Sequence, residues 1–278
     1  MKRYLAEFLS DPRVIKLPRW LWLPILHGVV LNTRPAKSAE KYRQIWTPEG
    51  SPLAVHTAQQ SKLLAEKTGR PVAYAMRYGQ PDIASQLKKL KSPLVVPLYP
   101  QYSESATTSV ADALPPRTPM VEHFYNHPRY IAALAANVRR HWQQHGRGPV
   151  LVMSFHGLPK RQAFPYAGHC RATAELLAKA LALKDGEWLL TFQSRFGFAE
   201  WLQPYTAPTL KALAHRGLKR VDVVCPGFVS DCLETLEELG IAARRAFLAA
   251  GGKEFYLVSC LNESTDWIDA LAAIAGIA

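Results

Sequence analysis

Two candidate groups for chemistry, an imidazole and a carboxylate, follow apolar runs. In "VLVMSFHGLP" (150–159) three aliphatics and a methionine lead to Ser154, Phe155 and His156, and a Gly157-Leu158-Pro159 break ends the run. An imidazole titrates near neutrality, so at the mouth of a sheet it can serve as a base or a metal ligand. A hydrogen-bonding structural histidine is the alternative. In "CPGFVSDCLETLEEL" (225–239) a strand-like run is followed by a Pro226-Gly227 turn, and Ser230 or Asp231 can cap a helix whose first turn carries Glu234. Acids at that place also suit the helix dipole, and Glu234, Glu237 and Glu238 suit a solvated helix face.

A third set lies in three loops that follow apolar runs: "MRYGQP" (76–81), "YPQYSESATT" (99–108) and "FQSRFGFAEWLQPYT" (192–206). Rings there could pack the faces of a flat apolar ligand while Arg and hydroxyls meet its carboxylates. Aromatics packing on their own lobe are the plainer reading. The stretch "LPRWLWLPILHGVVL" (17–31) is either core or an exposed apolar lip for a membrane-soluble substrate. No glycine-rich nucleotide fingerprint occurs, and "GGK" at 251–253 lacks the upstream glycine of a P-loop.

The elements that must carry these groups alternate in type. Short apolar runs at 71–76, 94–99, 150–155, 189–194, 221–225 and 254–260 are separated by helical patterns such as "TAQQSKLLAEKTG" and "CRATAELLAKALAL". That alternation predicts an α/β fold with mainly parallel sheets, and function at the carboxyl ends of strands. "YAMRYG" (74–79) is echoed by "TFQSRFG" (191–197), and "VVPLYP" (95–100) by "VVCPGF" (223–228), in the same order. The echo predicts two similar lobes, 1–117 and 118–262, joined through a helix over 118–142, with a ligand cleft between them. Residues 263–278 are expected to form a helix packing back on the first lobe.

The chain has 278 residues, 34 Lys and Arg against 22 Asp and Glu, and a net charge of +12, which favours an anionic partner. The basic residues are dispersed, without RNA-reading aromatics, zinc-finger spacing or a basic tail, which argues against nucleic acid. Four cysteines, Cys170, Cys225, Cys232 and Cys260, include no Cys-x-x-Cys pair, as for reduced thiols in a cytoplasmic protein. The start of the chain carries acids early and lacks a signal peptide's apolar core. Residues 21–31 are apolar for about eleven positions, too few to span a bilayer.

Taken together, "SFHGLP", "LYPQYS", "AYAMRYG", "FQSRFG…WLQPYT", "CPGFVSDCLETLEEL" and "AGGKEF…CLNES…WI" resemble the ferrochelatase family, particularly its bacterial protoheme form, over essentially the whole chain. The resemblance implies two Rossmann-like lobes with mainly parallel four-stranded sheets around a central cleft, and insertion of Fe²⁺ into protoporphyrin IX. His156 and Glu234 then form the metal- and proton-handling pair, and Arg77, Tyr78, Tyr102, Ser103 and Trp201 line the porphyrin pocket. Residues 17–31 become a lip on an anionic membrane surface, peripheral to the inner face of the plasma membrane. Fe²⁺ is a substrate, no resident cofactor and no iron–sulfur cluster are expected, and the chain is a monomer or homodimer. Coproporphyrin III insertion and a non-catalytic porphyrin or heme binder are the rivals. The family's usual first strand and "LLxNLGxP" loop have no counterpart ahead of "KRYLAEFLSDPRV", so the first lobe is expected to lack a core strand. "RQAFPYAGHC" (161–170) and "SESATTSV" (103–110) also depart from the family pattern.

Overall fold

The computed structural model describes residues 1–197 and 199–278. In chain order the helices are α1 (Lys2–Leu9), α2 (Arg19–Ile25), α3 (Leu31–Arg43), α4 (Pro52–Thr68), α5 (Ile83–Leu87), α6 (Ser109–Asp112) and α7 (Pro128–His145). From there strands and helices alternate: β1 (Leu151–His156), α8 (Tyr166–Ala180), β2 (Trp188–Gln193), α9 (Thr206–His215) and β3 (Arg220–Val224). The chain closes with α10 (Leu233–Leu236), α11 (Arg244–Ala249), β4 (Glu254–Leu257) and α12 (Thr265–Ile274). Wider π-type turns occupy Leu26–Val30, Glu104–Thr108 and Glu238–Ala243.

The four strands form one parallel sheet in the order β2-β1-β3-β4, with helices on both faces. Period-two alternation sorts β1. Leu151, Met153 and Phe155 pack with α7, α8 and α12, whereas Val152 joins Val221 and Val223 on the opposite face beneath α9 and α11. Toward the carboxyl end the second face turns polar through buried Ser154, Thr191 and Gln193. His156, of the same parity, ends the strand beside Gln193.

The α/β class and the parallel sheet are as the sequence predicts, but the two halves are not alike. Among the described residues all four strands lie between residues 151 and 257. The runs at 71–76 and 94–99 are extended, joined to neighbours only by single bridges, Met76 to Asp82 and Val95 to Met120. An extended run becomes a strand only when neighbours present backbone in register, and Pro71, Pro93, Pro97 and Pro100 remove donors from these two. The helix expected over 118–142 begins at Pro128, after an extended stretch whose Val121 N–H bonds to Val95 O. Proline at the first helical position explains the start.

α4 forms as predicted, with Pro52 at its first turn and Gly69 at φ +64° ending it. α12 packs on α7 and on α4, where Lys67 Nζ lies 2.6 Å from Asp269 Oδ1. The apolar stretch 17–31 is partly core and partly exposed. Leu26 and Leu31 are buried with Leu5 and Leu9 of α1, while Leu17, Trp20, Leu21, Ile25 and Val29 are exposed. Trp22 Nε1 ties this element to α1 by donating to Leu9 O at 2.7 Å. Among the described residues no helix is long and apolar enough to cross a membrane.

Candidate active site

The carboxyl end of the sheet brings several candidate residues together. His156 Nδ1 lies 2.6 Å from Gly157 O. A carbonyl only accepts, so Nδ1 carries a proton, and in the neutral ring Nε2 is the nitrogen with the lone pair. Tyr166 Oη donates to His156 O at 2.8 Å and fixes the backbone there. Gly157 is required: a Cβ at that position would sit 2.7 Å from Gln193 O and 3.2 Å from Trp201 Cε3. Trp201 is therefore a buried wall against the turn after His156, and its Nε1 has no hydrogen-bond partner among the described residues.

Glu234 reaches the same end from the other side. In the segment after β3 the Phe228 ring lies 6.5 Å from that of His156. Neither Ser230 nor Asp231 caps the helix, contrary to the sequence expectation. Cys232 is the N-cap, in a capping box with Thr235, whose Oγ1 accepts from Cys232 N at 3.0 Å. Asp231 instead accepts from Thr235 Oγ1, Asn262 Nδ2 and Cys260 N, and Ser230 Oγ accepts from Gln60 Nε2. Gln193 Nε2 donates to Glu234 O at 2.6 Å. That bond spans from the strand neighbour of His156 to the residue bearing the carboxylate.

Three tyrosines feel the charge of Glu234. The Tyr4 and Tyr42 hydroxyls both lie in the field of the Glu234 carboxylate. Burial first, then Glu234, pushes Tyr42 up to about 12. The Tyr99 hydroxyl lies in the fields of both Arg77 and Glu234, and so joins this cluster to a second one.

The second cluster holds the other predicted pocket residues, and most of their polar atoms are engaged within the protein. Arg77 donates through Nη2 to Asp11 Oδ2 at 2.7 Å and through Nε to Ser109 O at 2.7 Å. Tyr78 Oη also donates to Asp11 Oδ2, at 2.8 Å. Burial works to raise the Asp11 carboxyl, yet bonds from Ser109, the Arg13 N–H and Tyr78, with the Arg77 charge, hold it below the ordinary range. Tyr102 N donates to His169 Nδ1 at 3.2 Å, and its hydroxyl meets Thr108 Oγ1 at 2.8 Å. Ser103 Oγ caps the following turn by accepting from Ala106 N at 3.2 Å.

Sequence reading missed Asp11, Gln193, Tyr4 and Tyr42. Gln193 stood inside the quoted "FQSRFG" but carried no signal of its own, and the other three lie in helical or loop segments where nothing sets them apart. Among the described residues no three His, Cys, Asp or Glu side chains are arranged to hold a metal ion. Cys170, Cys225, Cys232 and Cys260 are all buried thiols.

A ferrochelatase family model matches residues 1–276. Ferrochelatases of Aromatoleum aromaticum and Methylibium petroleiphilum are each 54% identical to this chain over 99% of its length, covering 81% and 82% of those proteins. Among solved structures, CbiX, described as the terminal enzyme of siroheme biosynthesis in denitrifying bacteria, superposes with a TM-score of 0.54 at 16% identity. That match covers 86% of this chain and 93% of CbiX. SirB from Bacillus subtilis, solved with Fe³⁺, gives 0.52 at 15% identity, over 79% of this chain and 87% of SirB. At such identities these two likenesses concern the fold.

Proposed function

The chain belongs to the ferrochelatase family, and from that premise we propose that it inserts Fe²⁺ into protoporphyrin IX at the mouth of its sheet, with His156 and Glu234 handling metal and protons. Metal insertion into a porphyrin is the family's activity. The reaction takes a dication into a macrocycle that releases its two pyrrole N–H protons, so charge balances only if acceptors for two protons stand close to the metal's path.

The observation that carries the assignment is the His156 tautomer. With Nδ1–H committed to Gly157 O, the Nε2 lone pair is left to take a pyrrole proton or bind the incoming metal. Glu234 supplies the negative charge, and the tyrosine hydroxyls of Tyr4 and Tyr42 beside it can pass a proton away. Trp201 forms an apolar wall next to His156. Tyr102 and Ser103 are proposed to line the far rim with Tyr78. Arg77 has Nε and Nη2 committed to Ser109 and Asp11, so its Nη1 is the nitrogen proposed to meet a propionate.

Leu17, Trp20, Leu21, Ile25 and Val29 are proposed to rest on an anionic membrane surface, from which an apolar porphyrin enters. Arg19 of α2, with Arg34 and Lys37 of α3, favours anionic lipid. The reading requires no resident cofactor and no cluster. Its test is anaerobic metalation of protoporphyrin IX by Fe²⁺ or Zn²⁺, followed by absorbance, with wild type, His156→Ala and Glu234→Gln. Turnover by the wild type and a loss of about 100-fold or more in both variants is expected. Activity retained in either variant removes that residue from its role, and faster turnover of coproporphyrin III would reassign the substrate.

A further inference from the structure

We infer that Gln193 is a positioning residue for this reaction, a strut that holds the Glu234 backbone at a set distance from the strand end bearing His156. The inference rests on the proposed pair and adds the part that holds its two members in register. Gln193 is 4% exposed, and both ends of its amide are engaged. Oε1 accepts from Ser154 Oγ of β1 at 2.6 Å, and Nε2 donates to Glu234 O at 2.6 Å. One side chain of β2 thus ties β1 to α10.

The surroundings hold the strut still. Ser154 Oγ lies 2.8 Å from Thr206 Oγ1, which lies 2.9 Å from Thr191 Oγ1, all buried. The Glu234 carbonyl can only accept, so the Gln193 nitrogen must face it and the amide oxygen is left facing Ser154. The Gln193 backbone also accepts from Gly157 N at 2.8 Å, so the same residue grips the turn after His156. Deeper on this face Val152 does the filling work with no polar atom. A buried amide at the mouth costs desolvation that an apolar residue would avoid, and its geometry is what it supplies in exchange.

Gln193→Met keeps length and volume but neither bond, and Gln193→Glu keeps the acceptor for Ser154 while setting a carboxylate oxygen against the Glu234 carbonyl. Steady-state metalation is measured with circular dichroism and a thermal midpoint on each protein. Folded Gln193→Met is expected to lose about tenfold in kcat with the porphyrin KM within about twofold, and Gln193→Glu to lose more. A purely space-filling role predicts wild-type kcat in the folded Met variant, and that result overturns the inference, as does a loss confined to KM. If Gln193→Met does not fold, Ser154→Ala decides: it frees the amide to rotate and should lower kcat about threefold, and wild-type kcat there overturns the inference. An inactive wild type overturns the functional reading and this inference together, whereas an active wild type with unaffected variants overturns the strut alone.

Discussion

Replacing Asp11 by alanine probes the network that ties Arg77 and Tyr78 to the segment after α1. Asp11 Oδ2 accepts from Arg77 Nη2 at 2.7 Å, Tyr78 Oη at 2.8 Å and Ser109 Oγ at 2.5 Å, and Oδ1 accepts from Arg13 N at 2.7 Å. The Asp11 side chain is 3% exposed and that of Arg77 24%. Alanine would therefore leave a largely buried guanidinium without its countercharge. Breaking a buried pair from one side costs roughly 3–5 kcal/mol. Because Ser109 still accepts from Arg77 Nε, the expected loss lies at the lower end, about 3 kcal/mol. Asn at position 11 keeps the shape and an acceptor and should cost about 1–2 kcal/mol. The folded Asp11 carboxyl titrates below its ordinary range, so its contribution is fully present above the unfolded value of about 4 and fades as pH falls through the lower folded value. Urea unfolding of wild type and Asp11→Ala near pH 7 and again near pH 3 measures this directly. The gap between the two proteins should narrow at the lower pH. A gap under about 1 kcal/mol at neutrality, or one of equal size at both pH values, would refute the reasoning.

Gly157→Ala places a Cβ 2.7 Å from a backbone oxygen that cannot swing away, so the thermal midpoint should fall by the equivalent of about 1–3 kcal/mol; an unchanged midpoint contradicts the close approach. Trp20→Ser with Val29→Ser removes apolar surface that is 78% and 58% exposed, so sedimentation with anionic vesicles should weaken about tenfold or more while metalation in detergent holds. Vesicle binding equal to wild type would remove the lip from that role. Ser103→Ala deletes a cap on the proposed pocket rim and should cost about 1 kcal/mol and raise the porphyrin KM; unchanged stability contradicts the cap, and an unchanged KM removes Ser103 from the rim.

Much of the second half was legible from local pattern. The runs at 150–155, 189–194, 221–225 and 254–260 each overlap a strand of the sheet to within a residue or contain it, because a buried strand reads as a continuous apolar run whatever its partners. α4 was legible down to its terminal glycine, since helix ends depend on residues a few positions apart. His156 and Glu234 stood out because chemistry-bearing side chains next to turn signals mark the ends of such elements. The first half shows the limit of the same pattern: the runs at 71–76 and 94–99 look like strands in isolation, but strand formation depends on neighbours and on donors that prolines remove.

Sequence alone therefore determined the α/β class, the parallel sheet and, by resemblance, the family. Tertiary structure decided what each polar group is paired with. Arg77 meets Asp11 from 66 residues away, and Gln193 meets Glu234 from 41. Tyr4 and Tyr42 arrive at the same carboxylate from two different helices. The apolar stretch 17–31 could be divided into a face on α1 and a face left open only once its helix was packed on α1. Periodicity is a property of neighbouring positions on one element and survives without a partner, whereas a hydrogen bond between distant segments leaves no period behind and exists only where packing sets the two ends within about 3 Å of each other.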